Sequence, residues 1–142
     1  MSLAFEALQT KDIPAIKEVA AWFGEFDVGQ IKLFLSEKQN IALAAKLDGK
    51  IIGLIYGYSL TRMDGKAPQF FIYSVDIHAD YQGKGYGSRF MQFAVDWARD
   101  NGFSESFVLT DKDNARACRV YEKAGMSASD SVMYEIEYEG QP

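Results

Sequence analysis

The chain has 142 residues, a length that fits one compact domain, and we predict a single domain over residues 1–142. Its 48% apolar residues suffice for a core, whereas its net charge of −5 argues against a nucleic-acid partner, which requires clustered Lys and Arg. The sequence contains neither an apolar run of about 18 residues nor a signal-peptide pattern, and its one cysteine suits a reducing compartment. We therefore expect a cytoplasmic protein without a membrane partner.

The first half of the chain predicts a strand, two helices and three further strands. After a short strand at 5–8, Asp12 is a candidate N-cap, and apolar residues then recur at helical spacing. A second helix begins near Val28. Two strand-like runs then flank Asp48-Gly49, a strong hairpin signal, and the aromatic, β-branched run 69–77 follows as another strand. The segment 61–68 between these strands predicts a turn.

In the second half, the helical period returns from Ser88 and ends at a C-cap, Asn101-Gly102. A strand at 106–110, a short helix at 114–124 and an alternating, exposed final strand at 131–138 complete the chain. The order β-α-α-β-β-β-α-β-α-β predicts an α/β protein, with a mixed sheet of about six strands and helices on both faces. Its β-α-β segment should place two parallel strands side by side.

The glycine-rich segment Gln82–Ser88 lies directly between a predicted strand and a predicted helix. Glycines let backbone N–H groups face a ligand, and a helix N-terminus adds unpaired N–H groups and a positive dipole end. Together these features predict a concave anion site that suits a pyrophosphate. The spacing fits neither the Walker A pattern nor the G-x-G-x-x-G dinucleotide fingerprint. A glycine-rich turn without a ligand is the alternative interpretation.

The pattern Q-x-x-G-x-G, formed by Gln82, Gly85 and Gly87, resembles the coenzyme A loop of the GCN5-related N-acetyltransferases (GNAT). The segment 114–126 resembles that family's N-x-x-A-x-x-x-Y-E-K-x-G-[FM] helix, and the likeness spans nearly the whole chain. It implies the GNAT fold, an acetyl-CoA cosubstrate and no metal. It also implies that Val75 and Ile77 hydrogen-bond the pantetheine arm, to which Asn114 adds a contact. The residues implied for the pyrophosphate loop are Gln82, Gly83, Lys84, Gly85, Tyr86, Gly87 and Ser88.

The same likeness suggests the catalytic groups. Tyr121 matches the family tyrosine that protonates or hydrogen-bonds the coenzyme A sulfur; the alternative is a packed aromatic residue. Many relatives carry a carboxylate base where this chain has Ser74. The candidate base here is Asp76, which lies two residues on and therefore on the same face of the strand. The alternative is that Asp76 only ends the strand. We expect His78 to be a surface residue and Cys118 a small packed one.

A narrower likeness concerns the acceptor. Four segments resemble the gentamicin-type aminoglycoside 3-N-acetyltransferases: 23–26, 41–45, 68–73 and 132–136. This implies acetyl transfer to a primary amine of a small molecule, such as an aminoglycoside. Ser74 departs from the expected base, so peptide or protein amines, polyamines, amino acids and a non-catalytic acyl-CoA-binding module stay open. The exposed final strand could pair with a second copy in a homodimer.

Overall fold

The structure is a computed structural model that describes residues 2–24 and 26–142. Its elements follow the predicted order as far as the last helix. They are β1 (Leu3–Ala7), α1 (Ile13–Val19), α2 (Val28–Ser36), β2 (Asn40–Leu47), β3 (Lys50–Leu60), β4 (Gln69–Ile77), α3 (Tyr86–Asp100), β5 (Glu105–Val108) and α4 (Ala115–Lys123). Short 3-10 turns occupy 10–12, 20–23 and 79–81.

The strands form one mixed sheet in the order β1-β2-β3-β4-β5. Every neighbouring pair is antiparallel except β4 and β5, which are parallel, as the β-α-β segment predicts. This confirms the predicted α/β class and mixed sheet.

Helices cover both faces of the sheet, and each face has its own apolar core. On one face the stripe of α3, including Phe90 and Met91, is fully buried against β2, β3 and β4. On the other face, Ile16 and Val19 of α1 pack against Ala44 of β2. Each such side chain contributes about 1.5–3 kcal/mol through burial. The core on the α3 side includes Phe70 and Ile72 and therefore holds β4, the strand that borders the site, whereas the other core packs on β2 and β3.

Local turn chemistry explains several of the boundaries. Asp48 and Gly49 both have positive φ, at 51° and 85°, which is the geometry of a two-residue hairpin turn that favours Asp-Gly. Gly102, with φ of 85°, follows the end of α3 as predicted.

Strand β4 contains a β-bulge in the middle of its pairing with β3. Tyr56 pairs with Ser74 while Gly57 pairs with Ile72, so Tyr73 has no partner on β3. The extra residue brings both Tyr73 and Ser74 to the face away from α3, where Tyr73 contacts Tyr56. A Cβ on Gly57 would lie only 2.0 Å from the Phe71 carbonyl oxygen, so glycine is required for this close strand approach.

The prediction of a sixth strand at 131–138 is wrong. Residues 127–138 form neither helix nor strand in the described chain, and Val132, Tyr134 and Ile136 are 73%, 93% and 74% exposed. The alternation of this segment reflects a tendency to form a strand, but a strand also needs a partner edge. Within the described residues, 131–138 pair with no strand, and the sheet has five strands.

Two further observations bear on the sequence expectations. The segment 23–26, one of the four that resemble the gentamicin-type enzymes, includes Glu25, which lies outside the described residues. Among the helices of residues 2–24 and 26–142, none combines the length and apolar character that crossing a bilayer demands.

Candidate active site

The site lies where β4 and β5 part. The two strands pair only from Gln69–Glu105 to Ile72–Val108, because β5 ends at Val108 while β4 continues to Ile77. Over residues 73–77, no described strand pairs with β4 on its β5 side. Beyond the bulge, residues 74–77 of this free segment alternate between the two sides of the sheet, and each side borders a cavity.

The first cavity, which we call the loop cavity, has a volume of about 360 Å³ and lies on the α3–α4 side. It brings together β4, the glycine-rich loop and α4. Its predicted site residues are Val75, Ile77, Gln82, Gly83, Gly85, Gly87, Ser88, Asn114 and Tyr121. Two groups far apart in sequence therefore meet in one cavity, as the resemblance implies.

The conformation of the loop suits an anion. Gly83 and Gly85 have positive φ, at 78° and 82°, and a Cβ on either would meet no atom within 4 Å. Helix α3 begins at Tyr86, two residues earlier than predicted, because Gly85 in its left-handed conformation serves as the N-cap. The first helical hydrogen bond runs from the N–H of Arg89 to the Gly85 carbonyl, which leaves the N–H groups of residues 86–88 without intrahelical partners.

Several side chains of the loop contact other parts of the protein. Gln82 links two elements, since its Nε2 donates to the Ile77 carbonyl at 2.8 Å and its Oε1 accepts from Arg116 Nη1 at 3.0 Å. Lys84 is exposed, with Nζ 5.8 Å from the centroid of the Tyr81 ring, and Tyr86 packs against the core. Neither Lys84 nor Tyr86 lines the loop cavity, so only their backbone groups remain candidates for contact with a ligand.

The second cavity, which we call the α2 cavity, has a volume of about 290 Å³ and lies between α2 and the opposite face of β3 and β4. Ser74 and Asp76 line it, and Ser74 Oγ donates to Asp76 Oδ2 at 2.9 Å. Aromatic rings form one wall: the Phe34 centroid lies 5.4 Å from that of Tyr56 and 5.8 Å from that of Tyr58.

Electrostatic effects connect the two cavities. Burial raises the pKa of Tyr121, and the neighbouring Cys118 and Asp76 raise it further. Burial also raises the pKa of Tyr56, with smaller contributions from Tyr58, Tyr73 and Asp76. Asp76 therefore acts on a phenol in each cavity, and both phenols keep their protons at neutral pH.

Two other residues cap local structure. Asn114 caps α4, because its Oδ1 accepts from the Ala117 N–H at 3.1 Å. The imidazole of His78 caps the turn at 79–81 and lies against Trp22, with ring centroids 4.3 Å apart. His78 is thus mostly covered, not a free surface residue, and it lines neither cavity. Cys118 is partly buried.

Sequence reasoning missed the aromatic wall of the α2 cavity. Tyr56 and Tyr58 alternate on β3, which predicts a shared face, but nothing in the local sequence indicates that Phe34 of α2 meets them. That contact depends on how α2 crosses the sheet.

Comparisons with known proteins identify a family and several similar enzymes. The acetyltransferase (GNAT) family matches residues 9–126. Spermidine N(1)-acetyltransferase of Escherichia coli strain K12 is 28% identical over 112 residues, which cover 75% of this chain and 56% of that enzyme. The chain therefore spans about half the length of this curated relative.

Two solved structures have the same fold. An aminoglycoside acetyltransferase from an uncultured soil metagenomic sample, in complex with sisomicin, has a TM-score of 0.84 at 21% identity, with 96% of this chain and 95% of that chain covered. The aminoglycoside N-acetyltransferase AAC(6')-Iy, in complex with the bisubstrate analog CoA-S-monomethyl-acetylneamine, has a TM-score of 0.76 at 14% identity, with 97% and 99% covered. Since the family match extends over most of its residues, the chain belongs to the acetyltransferase (GNAT) family.

Proposed function

We propose that residues 1–142 act as one N-acetyltransferase domain, which transfers an acetyl group from acetyl-CoA to a primary amine of a small molecule. The observation that carries this proposal is the junction of the loop cavity with the free edge of β4. At that junction a helix N-terminus with unpaired N–H groups, a protonated tyrosine and a carboxylate lie around one gap in the sheet.

The residues of the loop cavity fit a pyrophosphate. A side chain on Gly83 or Gly85 would extend into the open space that the ligand needs, and the N–H groups of residues 86–88 have no helical acceptors. We assign the pyrophosphate to backbone groups of 83–88, and the pantetheine arm to Val75, Ile77 and Asn114. Acetyl-CoA, when bound, supplies the acetyl thioester.

The roles of two side chains follow from their chemistry. An amine attacks only as the neutral base, so its proton must leave, and Asp76 in the α2 cavity can accept it directly or through water. Tyr121, in the loop cavity, keeps its proton at neutral pH and can donate it to the departing thiolate. The N–H of Ile77 is the candidate donor to the thioester oxygen.

The acceptor class rests on the cavity and on the relatives. The α2 cavity, at about 290 Å³, is of a size for a small molecule. Spermidine and aminoglycosides, which the names of similar proteins mention, are both small-molecule amines. A non-catalytic acyl-CoA-binding module is the second candidate, because Ser74 stands where many relatives carry a carboxylate.

The test has two parts, binding and turnover. Gly85→Val should weaken acetyl-CoA binding at least tenfold by calorimetry, or about 1.4 kcal/mol. Gly65→Val is the matched control, since Gly65 also has positive φ, at 77°, and open space around its Cβ, but lies outside the loop cavity. It should leave affinity unchanged.

Turnover is followed as free thiol released from acetyl-CoA in the presence of a panel of amines. Amine-dependent release supports the enzyme. Tight acetyl-CoA binding without release from any amine would favour the non-catalytic module instead. Equal affinities for the two glycine variants would count against the loop as the pyrophosphate site.

A homodimer is the assembly we propose. The apolar side chains of the C-terminal segment 131–138 are exposed, and β5 has β4 on one side and no described strand on the other. An exposed strand-like segment and a free sheet edge on the same molecule are complementary between two copies. Each copy would then add its C-terminal segment to the β5 edge of its partner.

A further inference from the structure

The α2 cavity is lined mainly by apolar side chains, and this composition is informative about the acceptor. From α2, Ile31, Phe34 and Leu35 face the cavity, while Leu54, Tyr56 and Tyr58 of β3 form the opposite wall. Binding sites of this kind gain affinity by removing apolar ligand surface from water. A ligand that fills the cavity must therefore present apolar surface to most of it.

The charged groups of the cavity are few, and Asp76 lies directly opposite Leu54 of this wall in the strand pairing. Among the described residues that line it, the carboxylates are Asp27 and Asp76. Asp27 caps α2, because its Oδ1 accepts from the Gln30 N–H at 2.9 Å. Asp76 lies beside the gap in the sheet and already influences Tyr121 across it. The amine that reacts belongs at Asp76, so the rest of the acceptor lies against the apolar wall.

A second ammonium group on the acceptor would meet mostly this wall, because Asp27, the other carboxylate of the lining, already caps α2. Aromatic faces attract cations, but the aliphatic side chains of Ile31, Leu35 and Leu54 leave a charge without hydrogen bonds. Burying an unpaired charge costs more than one aromatic contact returns.

We propose that the acceptor is a primary amine carried on a single hydrophobic arm, with the amine at Asp76 and the arm between α2 and β3. The proposal rests on the proposed function, because the reacting amine is placed by the assigned base. It differs from the polyamine and aminoglycoside classes that the relatives suggest, whose members carry several charges.

A matched series of substrates tests the proposal. We would measure kcat/KM for straight-chain alkylamines of increasing length and for the α,ω-diamines of equal length, which differ only in a terminal ammonium. The alkylamine values should rise about fourfold for each methylene until the cavity is full. Each long diamine should fall at least tenfold below its alkylamine. Diamines, spermidine or sisomicin that match or exceed the alkylamines would overturn the proposal while leaving the acetyltransferase assignment intact.

A pair of neighbouring variants on α2 shows whether the arm occupies this cavity. Phe34 lines the cavity, whereas Leu33 is 55% exposed and does not line it. Phe34→Ala should flatten the dependence on chain length and lower kcat/KM for the best alkylamine about tenfold. Leu33→Ala should leave both unchanged. An equal response of the two variants would contradict the location of the arm.

Binding measured without turnover separates this inference from the proposed function. Calorimetry with the same amines, on the protein in the absence of acetyl-CoA, should show affinity that rises with alkyl length. If that rise occurs and no amine is acetylated, the hydrophobic site stands and the acetyltransferase assignment falls. If affinity does not depend on alkyl length, the hydrophobic-arm proposal is wrong.

Discussion

At the scale of single residues, the two candidate catalytic groups, Tyr121 and Asp76, lie in different environments. Tyr121 is half-buried, and the Asp76 carboxylate adds to the burial that raises its pKa. Asp76 faces the other cavity and holds a hydrogen bond from Ser74. The proposed proton acceptor and the proposed proton donor thus lie on the two sides of β4, one in each cavity.

Tyr121→Phe should lower kcat about 10²–10⁴-fold while leaving acetyl-CoA affinity nearly unchanged, because the variant loses only the hydroxyl group that would donate the proton. Steady-state kinetics and calorimetry on the same preparation give the two values. Since the folded pKa of Tyr121 is raised above 10.0, its deprotonation should not limit kcat below about pH 10. Its contribution to stability is likewise fully present below pH 10.0 and is lost as the pH rises through the folded pKa. A variant with full kcat would make Tyr121 a packing residue.

Asp76→Asn tests the base. At neutral pH the variant should lose kcat/KM, since a primary amine is mostly protonated and needs an acceptor for its proton. Raising the pH toward the pKa of the amine should recover much of the loss. Asp80→Asn is the control, because the Asp80 side chain is 83% exposed and lines neither cavity. A pH–rate profile of Asp76→Asn that coincides with the unmutated enzyme excludes Asp76, and a loss independent of pH would assign it a positioning role.

At the scale of the elements, the β4 bulge determines which side chains reach the α2 cavity. It brings Tyr73 and Ser74 to one face, and it depends on the close approach of β3 at Gly57. Gly57→Ala should lower the free energy of unfolding by at least about 2 kcal/mol, because the new Cβ would contact the Phe71 carbonyl and force the strands apart. Denaturant titration of Gly57→Ala and of the unmutated protein measures the difference in the free energy of unfolding.

The comparison for Gly57→Ala is Gly65→Ala, where a Cβ meets open space and only the positive φ is strained. That change should cost about 1 kcal/mol. If Gly57→Ala costs no more than Gly65→Ala, the two strands separate more easily than the contact implies.

The same elements show how far sequence reasoning extends. The Asp48-Gly49 hairpin and the cap at Gly102 were predictable because their signals are local in sequence. The glycine-rich loop was predictable for the same reason. The bulge at Tyr73 was not, because it arises from the registration of two strands, and no single residue marks it. The contact between Phe34 and Tyr56 was not predictable either, because it depends on how α2 crosses the sheet.

The final strand illustrates the converse. Its alternation from Val132 to Tyr138 is a local signal, and it predicted a strand that residues 131–138 do not form in the single chain. Pairing is a long-range property, and the pattern does not specify which molecule provides the partner edge.

At the scale of the whole molecule, that segment bears on how the protein assembles. Val132, Tyr134, Ile136 and Tyr138 would share one face of a strand, and each is more than two-thirds exposed in the single chain. Such a surface is costly in water unless it is covered. In the proposed homodimer, the free β5 edge of a second copy offers backbone partners for this segment.

In the proposed assembly, the 142-residue chain should therefore be a dimer in light scattering after size exclusion, and truncation after Asp130 should give a monomer. Ile136→Lys should also give a monomer, because the charge would be buried on the apolar face. Glu137→Lys, on the opposite face of the same segment, is the matched control and should remain dimeric. The strand–loop–helix at 69–100 lies outside the segment, so the monomeric variants should keep their acetyl-CoA affinity. A 142-residue chain that stays monomeric, or an Ile136→Lys dimer as stable as the unmutated one, would contradict the pairing of the C-terminal segment with β5 of a second copy.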